Sequence, residues 1–257
     1  MSPNRLINPR PLVGSSFDDS RKDFHTNAAP IMESHGIVSS NAVITGWVDG
    51  TFTPSWGGSA GAQGPMSIAE VQYWDGRGFE TAAHGDKHTN TEVDVTECVN
   101  KLHSWGLAPE GFVSPGSGLN WTNFRIRQKW YEGLGLIYAR TDRMITPQLS
   151  GVSLHYPFGP EHPYYNFLIP SAVVVKSTTT VQSLKDIINI TVANNTVCIV
   201  MLHSILYPAD DGYDTDVWWW DGSRFNEFCE WLAQQKSLGT FDVLNPIGCI
   251  KQANGWI

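Results

Sequence analysis

Three places in this 257-residue sequence gather side chains able to do acid–base or metal chemistry. Ser16-Phe17-Asp18-Asp19-Ser20 follows a short apolar run, where two adjacent carboxylates are costly if buried and unpaired. They either cap the next helix or act as reactive groups. His84 and His88 stand at positions i and i+4 behind another apolar run. On a helical turn that spacing puts both imidazoles on one face, within reach of one metal ion, with Asp86 and Lys87 pointing elsewhere. His203 follows Val197–Leu202, the strongest buried-strand pattern in the chain, so it is either a satisfied core histidine or a catalytic one. Taken together, one Asp and two His can hold Zn²⁺ with a fourth position open. A second Asp can accept a proton and a separate His can protonate a leaving group. The sum is metal-assisted hydrolysis of an acyl bond.

The elements that must position these groups alternate between strand and helix. Strands are predicted at Pro11–Phe17, Ile37–Ile44, Phe79–Ala83, Gly111–Val113, Leu136–Ala139, Val197–Leu202 and Phe241–Leu244. Helices are predicted at Thr26–His35, after an N-capping Ser67 as far as Asp75, and at Val93–Leu102, Phe124–Leu134, Val181–Val192 and Ser223–Gln235. The stretch Thr146–Pro170 reads as irregular, and Gly46–Gly64 and Tyr207–Gly222 as long loops, a class that is often functional. Alternation of this kind implies an α/β fold on a parallel sheet, with reactive groups at the carboxyl ends of the strands. With no internal repeat or linker visible, residues 1–257 read as one catalytic domain.

Composition excludes other classes. Lys+Arg is 17 and Asp+Glu is 25, a net charge of −8 with no basic run, so the footprint of a nucleic-acid binder is missing. No apolar run approaches the ~20 residues of a membrane span. Cys98, Cys198, Cys229 and Cys249 have no paired spacing of the zinc-ribbon or redox kind, which leaves two disulfides or none. No leader is visible in Met1–Pro11, so the sequons Asn120-Trp-Thr122, Asn189-Ile-Thr191 and Asn194-Asn-Thr196 read as chance matches.

The sequence resembles the polysaccharide deacetylase family, also called the NodB homology domain or carbohydrate esterase family four. Ser16-Phe17-Asp18-Asp19-Ser20 matches its first motif. Gly78-Phe79-Glu80 leading to His84 and His88 matches the second, and Val200-Met201-Leu202-His203 matches the fifth. The resemblance implies a distorted (β/α) barrel of about seven parallel strands. It implies Asp18 as general base, Asp19, His84 and His88 as ligands of a divalent metal (Zn²⁺ first), and His203 as the acid that protonates the leaving amine or alcohol. The third motif is only partly kept in Phe112-Val113-Ser114-Pro115-Gly116-Ser117. Val113 stands where the family has an Arg bracing the base. Gly116 stands where a Tyr backbone N–H helps hold the oxyanion, a main-chain donation that survives the side-chain change. The fourth motif has no good match: Asp142 is a poor candidate, and a residue of the Tyr207–Gly222 loop is another source for orienting His203.

Eleven Trp is a high count. Trp47, Trp56 and the run Trp218-Trp219-Trp220 follow strand ends, where they either stack on sugar rings or pin their loops; Pro115 joins them as a candidate substrate contact. The resemblance thus implies a metal-dependent enzyme that removes acetyl groups from a glycan, N- or O-linked. Two rivals stand beside it: a carbohydrate-binding protein on a decayed deacetylase scaffold, and a hydrolase of non-sugar amides. The partner expected is an acetylated glycan, with no nucleic acid and no membrane span, which suggests an extracellular or virion-surface location.

Overall fold

The computed structural model describes residues 10–56, 64–120, 123–141, 166–167, 169–171, 173–195, 197–214 and 217–256. Asp142 and most of the stretch 146–170 lie outside them. The described strands are β1 (Leu12–Phe17), β2 (Ser40–Val43), β3 (Glu80–Ala83), β4 (Gly111–Val113), β5 (Tyr138–Thr141), β6 (Ile169–Pro170), β7 (Val173–Val174), β8 (Val197–Leu202), β9 (Ser204–Leu206), β10 (Trp219–Asp221) and β11 (Asp242–Leu244). The helices are α1 (Ala29–Ser34), α2 (Thr45–Val48), α3 (Ile68–Asp75), α4 (Glu92–Ser104), α5 (Phe124–Gly133), α6 (Val181–Asn194), α7 (Gly222–Ser237) and α8 (Pro246–Ala253). A π-helical stretch, Phe24–Ala28, runs into α1.

Every described pairing between strands is parallel. One curled sheet runs β6-β5-β4-β3-β2-β1-β8-β7, with β11 beside β1. Seven of its strands have three residues or more, while β6 and β7 are two-residue pieces. This is the distorted (β/α) barrel that the resemblance implies. β8 pairs with β1 along its whole length, from Leu12↔Val197 to Phe17↔Leu202. The other edge of β1 is shared, with β11 taking Leu12–Gly14 and β2 taking Ser16 and Phe17.

Local chemistry explains the helices that cover the sheet. Ser67 caps α3 in a reciprocal box, its hydroxyl accepting from the Glu70 N–H while the Glu70 carboxylate accepts from the Ser67 N–H at 2.8 Å. In α4, Val95, Cys98, Val99 and Leu102 fall on one stripe and are all buried. Sequence reading passes over α2, α8, β6, β7, β9 and β10, all short or placed inside expected loops or the stretch read as irregular. All four cysteines are buried free thiols.

The tryptophan run divides where β10 begins: Trp218 precedes the strand, while Trp219 and Trp220 open it. Trp218 is 37% exposed, Trp219 8% and Trp220 0%. Trp220 packs on Phe225 and Phe228 and donates its indole N–H to the Thr179 carbonyl at 2.8 Å. Trp219 lies against Tyr213 at 4.2 Å between ring centres. Trp219 and Trp220 are therefore packing residues, a correction to their expected place at the substrate. Trp220→Ala should destabilise the protein by about 3–5 kcal/mol, and Trp218→Ala by less than about 1 kcal/mol. Urea midpoints of the two variants measure the contrast.

Candidate functional site

The site grows from the ends of neighbouring strands. Because Phe17 pairs with Leu202, the residues that follow them, Asp18 and His203, leave the sheet side by side, and the Asp18 N–H still donates to the Leu202 carbonyl at 2.9 Å. His84 follows Ala83, which pairs with Val43 on one side and Phe112 on the other. Beyond Asp18 the chain turns sharply, and Asp19 and Ser20 take left-handed φ values of 79° and 51°. Such conformations cost a non-glycine residue of order 1–3 kcal/mol. The turn is held by the Ser20 hydroxyl, which accepts from the Ile44 N–H at 3.1 Å.

His84 and His88 converge without a helical turn. Residues 84–90 form an irregular loop in which Gly85 has φ 81° and His88 φ 57°. A Cβ on Gly85 would come within 2.4 Å of an Asp94 oxygen. That same carboxylate, in the first turn of α4, accepts from the Lys87 N–H at 2.8 Å and the Thr89 N–H at 3.0 Å. Asn90 stitches this loop to the one after β4, donating to the Pro115 carbonyl and accepting from the Ser114 hydroxyl, both at 2.6 Å.

One donor atom each from Asp19, His84 and His88 lies within 4.8 Å of the others, and these form the group of metal-capable side chains found among the described residues. The Nδ1 of His84 meets the Val113 carbonyl at 2.7 Å. A carbonyl only accepts, so Nδ1 carries a proton, and in the neutral ring the lone pair is on Nε2, facing the site. The Nε2 atoms of His84 and His88 stand 3.5 and 3.4 Å from Asp19 Oδ1, too long for good hydrogen bonds. Two nitrogens and one oxygen facing a common point fit a divalent cation of the zinc kind.

The electrostatics favour a charged Asp19. Burial opposes its ionisation, but the contact with His84 and the charges of His203, Arg21 and His84 outweigh it and hold the carboxyl well below its usual range. Burial, together with the neighbouring His84 charge, pushes His88 down to about 4, which leaves it neutral and able to donate a lone pair. Burial would lower His84 too, but its contact with Asp19 and the charges of Asp18 and Asp19 raise it. His203, with Nε2 4.0 Å from Asp19 Oδ2, is lowered by burial against the pull of both aspartates. Its Nδ1 is buried and meets no hydrogen-bond partner among the described residues.

Two arginines outside the sequence candidates complete the site. Arg140, buried in β5, donates through Nη2 to both oxygens of Asp18, the Oδ2 contact being 2.6 Å, and through Nη1 to the Ser171 hydroxyl at 2.7 Å. Arg140 is the register partner of Val113, so the two side chains share a face of the sheet. The cation expected at Val113 therefore stands one strand over, at the same level. Arg21 lies on Asp19, with Nη2 2.9 Å and Nε 3.2 Å from Oδ2.

Of the aromatic candidates, Trp56 and Trp218 flank the site. Trp56 meets His88 edge-on at 5.5 Å, and Trp218 lies 5.0 Å from His203. Trp47 is buried behind Trp56 at 5.2 Å, which corrects its expected contact with substrate. Pro115 is also buried, a packed residue of its loop. Gly116 follows it, exposed and left-handed with φ 52°.

No known family profile and no curated protein matches the sequence. Solved structures do match the fold. One described as a polysaccharide deacetylase from Mycobacterium smegmatis is 12% identical with a TM-score of 0.57, over 100% of this chain and 94% of that one. A family-four carbohydrate esterase from Streptomyces lividans, in complex with acetate, is 10% identical with a TM-score of 0.51, over 90% of each chain. A family-four pseudoenzyme, in a mutant with restored activity, is 11% identical with a TM-score of 0.51, over 95% of this chain and 69% of that one. Many matching structures are family-four deacetylases, and this chain shares their polysaccharide deacetylase fold.

Proposed function

We infer that the protein is a metal-dependent deacetylase of an acetylated glycan. The observation that carries this reading is the convergence of Asp19, His84 and His88 within 4.8 Å, beside a second carboxylate held by Arg140 and a histidine across from both. Asp19, His84 and His88 would hold the divalent cation, which supplies Lewis acidity to an acetyl carbonyl and lowers the pKa of water. Asp18 is the base that takes a proton from the attacking water. Arg140 holds both oxygens of Asp18 in place by donating to each. The Gly116 N–H is the main-chain donor for the developing oxyanion. His203 gives a proton to the departing nitrogen or oxygen. Trp56 and Trp218, one on each flank, suit the faces of sugar rings, which favours a glycan over a small non-sugar amide.

The binding-only reading draws on Val113 in place of the expected arginine and on the Nδ1 of His203, which meets no partner among the described residues. Arg140 answers the first point, since a buried cation already serves Asp18. Acetate release from a panel of N- and O-acetylated glycans, with Zn²⁺ and with chelator, tests the reading. Release abolished by chelator is the expected result. Zn²⁺ bound at the site, with glycan binding but no release from any member, would favour the binding-only reading.

Three variants dissect the site. Asp19→Ala should lose stoichiometric Zn²⁺ after dialysis and lose acetate release with it; retention of both would remove Asp19 from the ligand set. His203→Ala should keep its metal while kcat falls about 10²–10⁴-fold; turnover near wild type would point to another acid. Arg140→Leu leaves Asp18 buried without its partner, so it should cost about 3–5 kcal/mol and most of kcat. Adding Val113→Arg, at the same level of the sheet, should recover part of both, as read by thermal unfolding and acetate release.

A further inference from the structure

Arg21 has no part in the reading so far, yet it is one of the most constrained side chains of the site. Both Nη2 and Nε donate to a single atom, Asp19 Oδ2, at 2.9 and 3.2 Å. Nη1 donates to the Ser204 hydroxyl at 3.1 Å, at the start of β9. The guanidinium carbon lies 5.1 Å from the centre of the Trp56 ring. Its backbone is tied as well, bridging to Pro65 while the Met66 N–H donates to the Ser20 carbonyl at 2.9 Å. Arg21 and Asp19 are both buried, so a swing of the guanidinium would leave two charges unpaired in the interior.

The two oxygens of Asp19 therefore have different neighbours. Oδ2 faces the guanidinium, and Oδ1 faces the Nε2 atoms of His84 and His88 at 3.5 and 3.4 Å. We propose that Arg21 is a positioning residue that reserves Oδ2, so that a divalent cation meets Asp19 through Oδ1 alone. The inference rests on the metal-site reading above. A carboxylate held in this way cannot close over the cation with both oxygens, which leaves coordination positions free for water and the acyl oxygen. It also gives up less charge, because one oxygen is already paired, and the cation keeps more of its Lewis acidity.

Cobalt(II) alone, titrated into metal-free protein, is the probe, because its visible absorption per bound ion falls as coordination number rises. The wild-type protein should take up a single equivalent with strong absorption. In Arg21→Ala, Oδ2 is free to join, and absorption per bound Co²⁺ should fall at least about twofold. Added guanidinium ion should restore it by refilling the vacated slot. Arg21→Met, whose unbranched chain fills the same space, is the second variant should Arg21→Ala not fold, with the same fall expected. A wild-type spectrum in a folded, cobalt-loaded variant would overturn the role of Arg21 and leave the metal site standing. Failure of the wild-type protein to bind Co²⁺ would overturn the metal-site reading, and this inference with it.

Discussion

Two adjacent carboxylates buried at the end of β1 are the constraint around which the site is arranged. Asp18 is 3% exposed and Asp19 4%. Like charges this close cannot both stay ionised in a low-dielectric interior without compensation. Arg140 supplies it for Asp18 and Arg21 for Asp19, each arginine buried with its partner. The division also separates the two carboxylates chemically. Both oxygens of Asp18 are engaged by a guanidinium, which removes it from competition for a cation. Asp19 keeps one oxygen facing two imidazoles. Chain direction alone does not distinguish neighbouring aspartates; the placement of two cations does.

The parallel register explains why the cation for Asp18 need not come from a fixed sequence position. At one level of the sheet, Val113 and Arg140 are lateral neighbours on the same face. From β5, Arg140 reaches Asp18 at the end of β1. Arginine suits this exchange because its fork keeps donors on both carboxylate oxygens from more than one approach. Val113 meanwhile serves the site through its backbone, the carbonyl that fixes the proton of His84. The small residue there is compatible with an intact site.

Much of this arrangement is legible in the sequence, for physical reasons that can be named. Val197–Leu202 and Gly111–Val113 are apolar runs bounded by polar or turn residues, and both are strands over those residues. The types of Asp18, Asp19, His84, His88 and His203, each after such a run, place them at strand ends. The reasoning fails at β5, which is expected to end at Ala139 but continues through Arg140 and Thr141. A charged residue reads as the close of a buried strand, and its ion pair with Asp18, 122 positions away, with the bond to Ser171, makes burial tolerable. Arg21 pairs with Asp19 only two positions away, but the Ser204 hydroxyl that fixes the rest of its fork is 183 positions distant. The imidazole pair is expected on a helical turn because i and i+4 share a helical face. A loop achieves the same convergence, with Gly85 and His88 left-handed and Asp94 holding its N–H groups.

Strain and support are matched in this geometry. Three of the five left-handed non-glycine residues among the described ones, Asp19, Ser20 and His88, lie at the site, and two of them are candidate ligands. Each strained turn is braced by hydrogen bonds from an element outside it: Ile44 on the Ser20 hydroxyl, and Asp94 from α4 under the histidine loop. Asn90 then joins that loop to the one carrying Gly116. Two loops from adjacent strands thus behave as one piece, and the group that would hold a cation moves together with the one that would hold an oxyanion. A catalytic constellation tolerates errors of only about half an ångström. A partly buried hydrogen-bonded link between loops serves that tolerance better than either loop does alone, because displacing one must first break the shared bonds to Ser114 and Pro115.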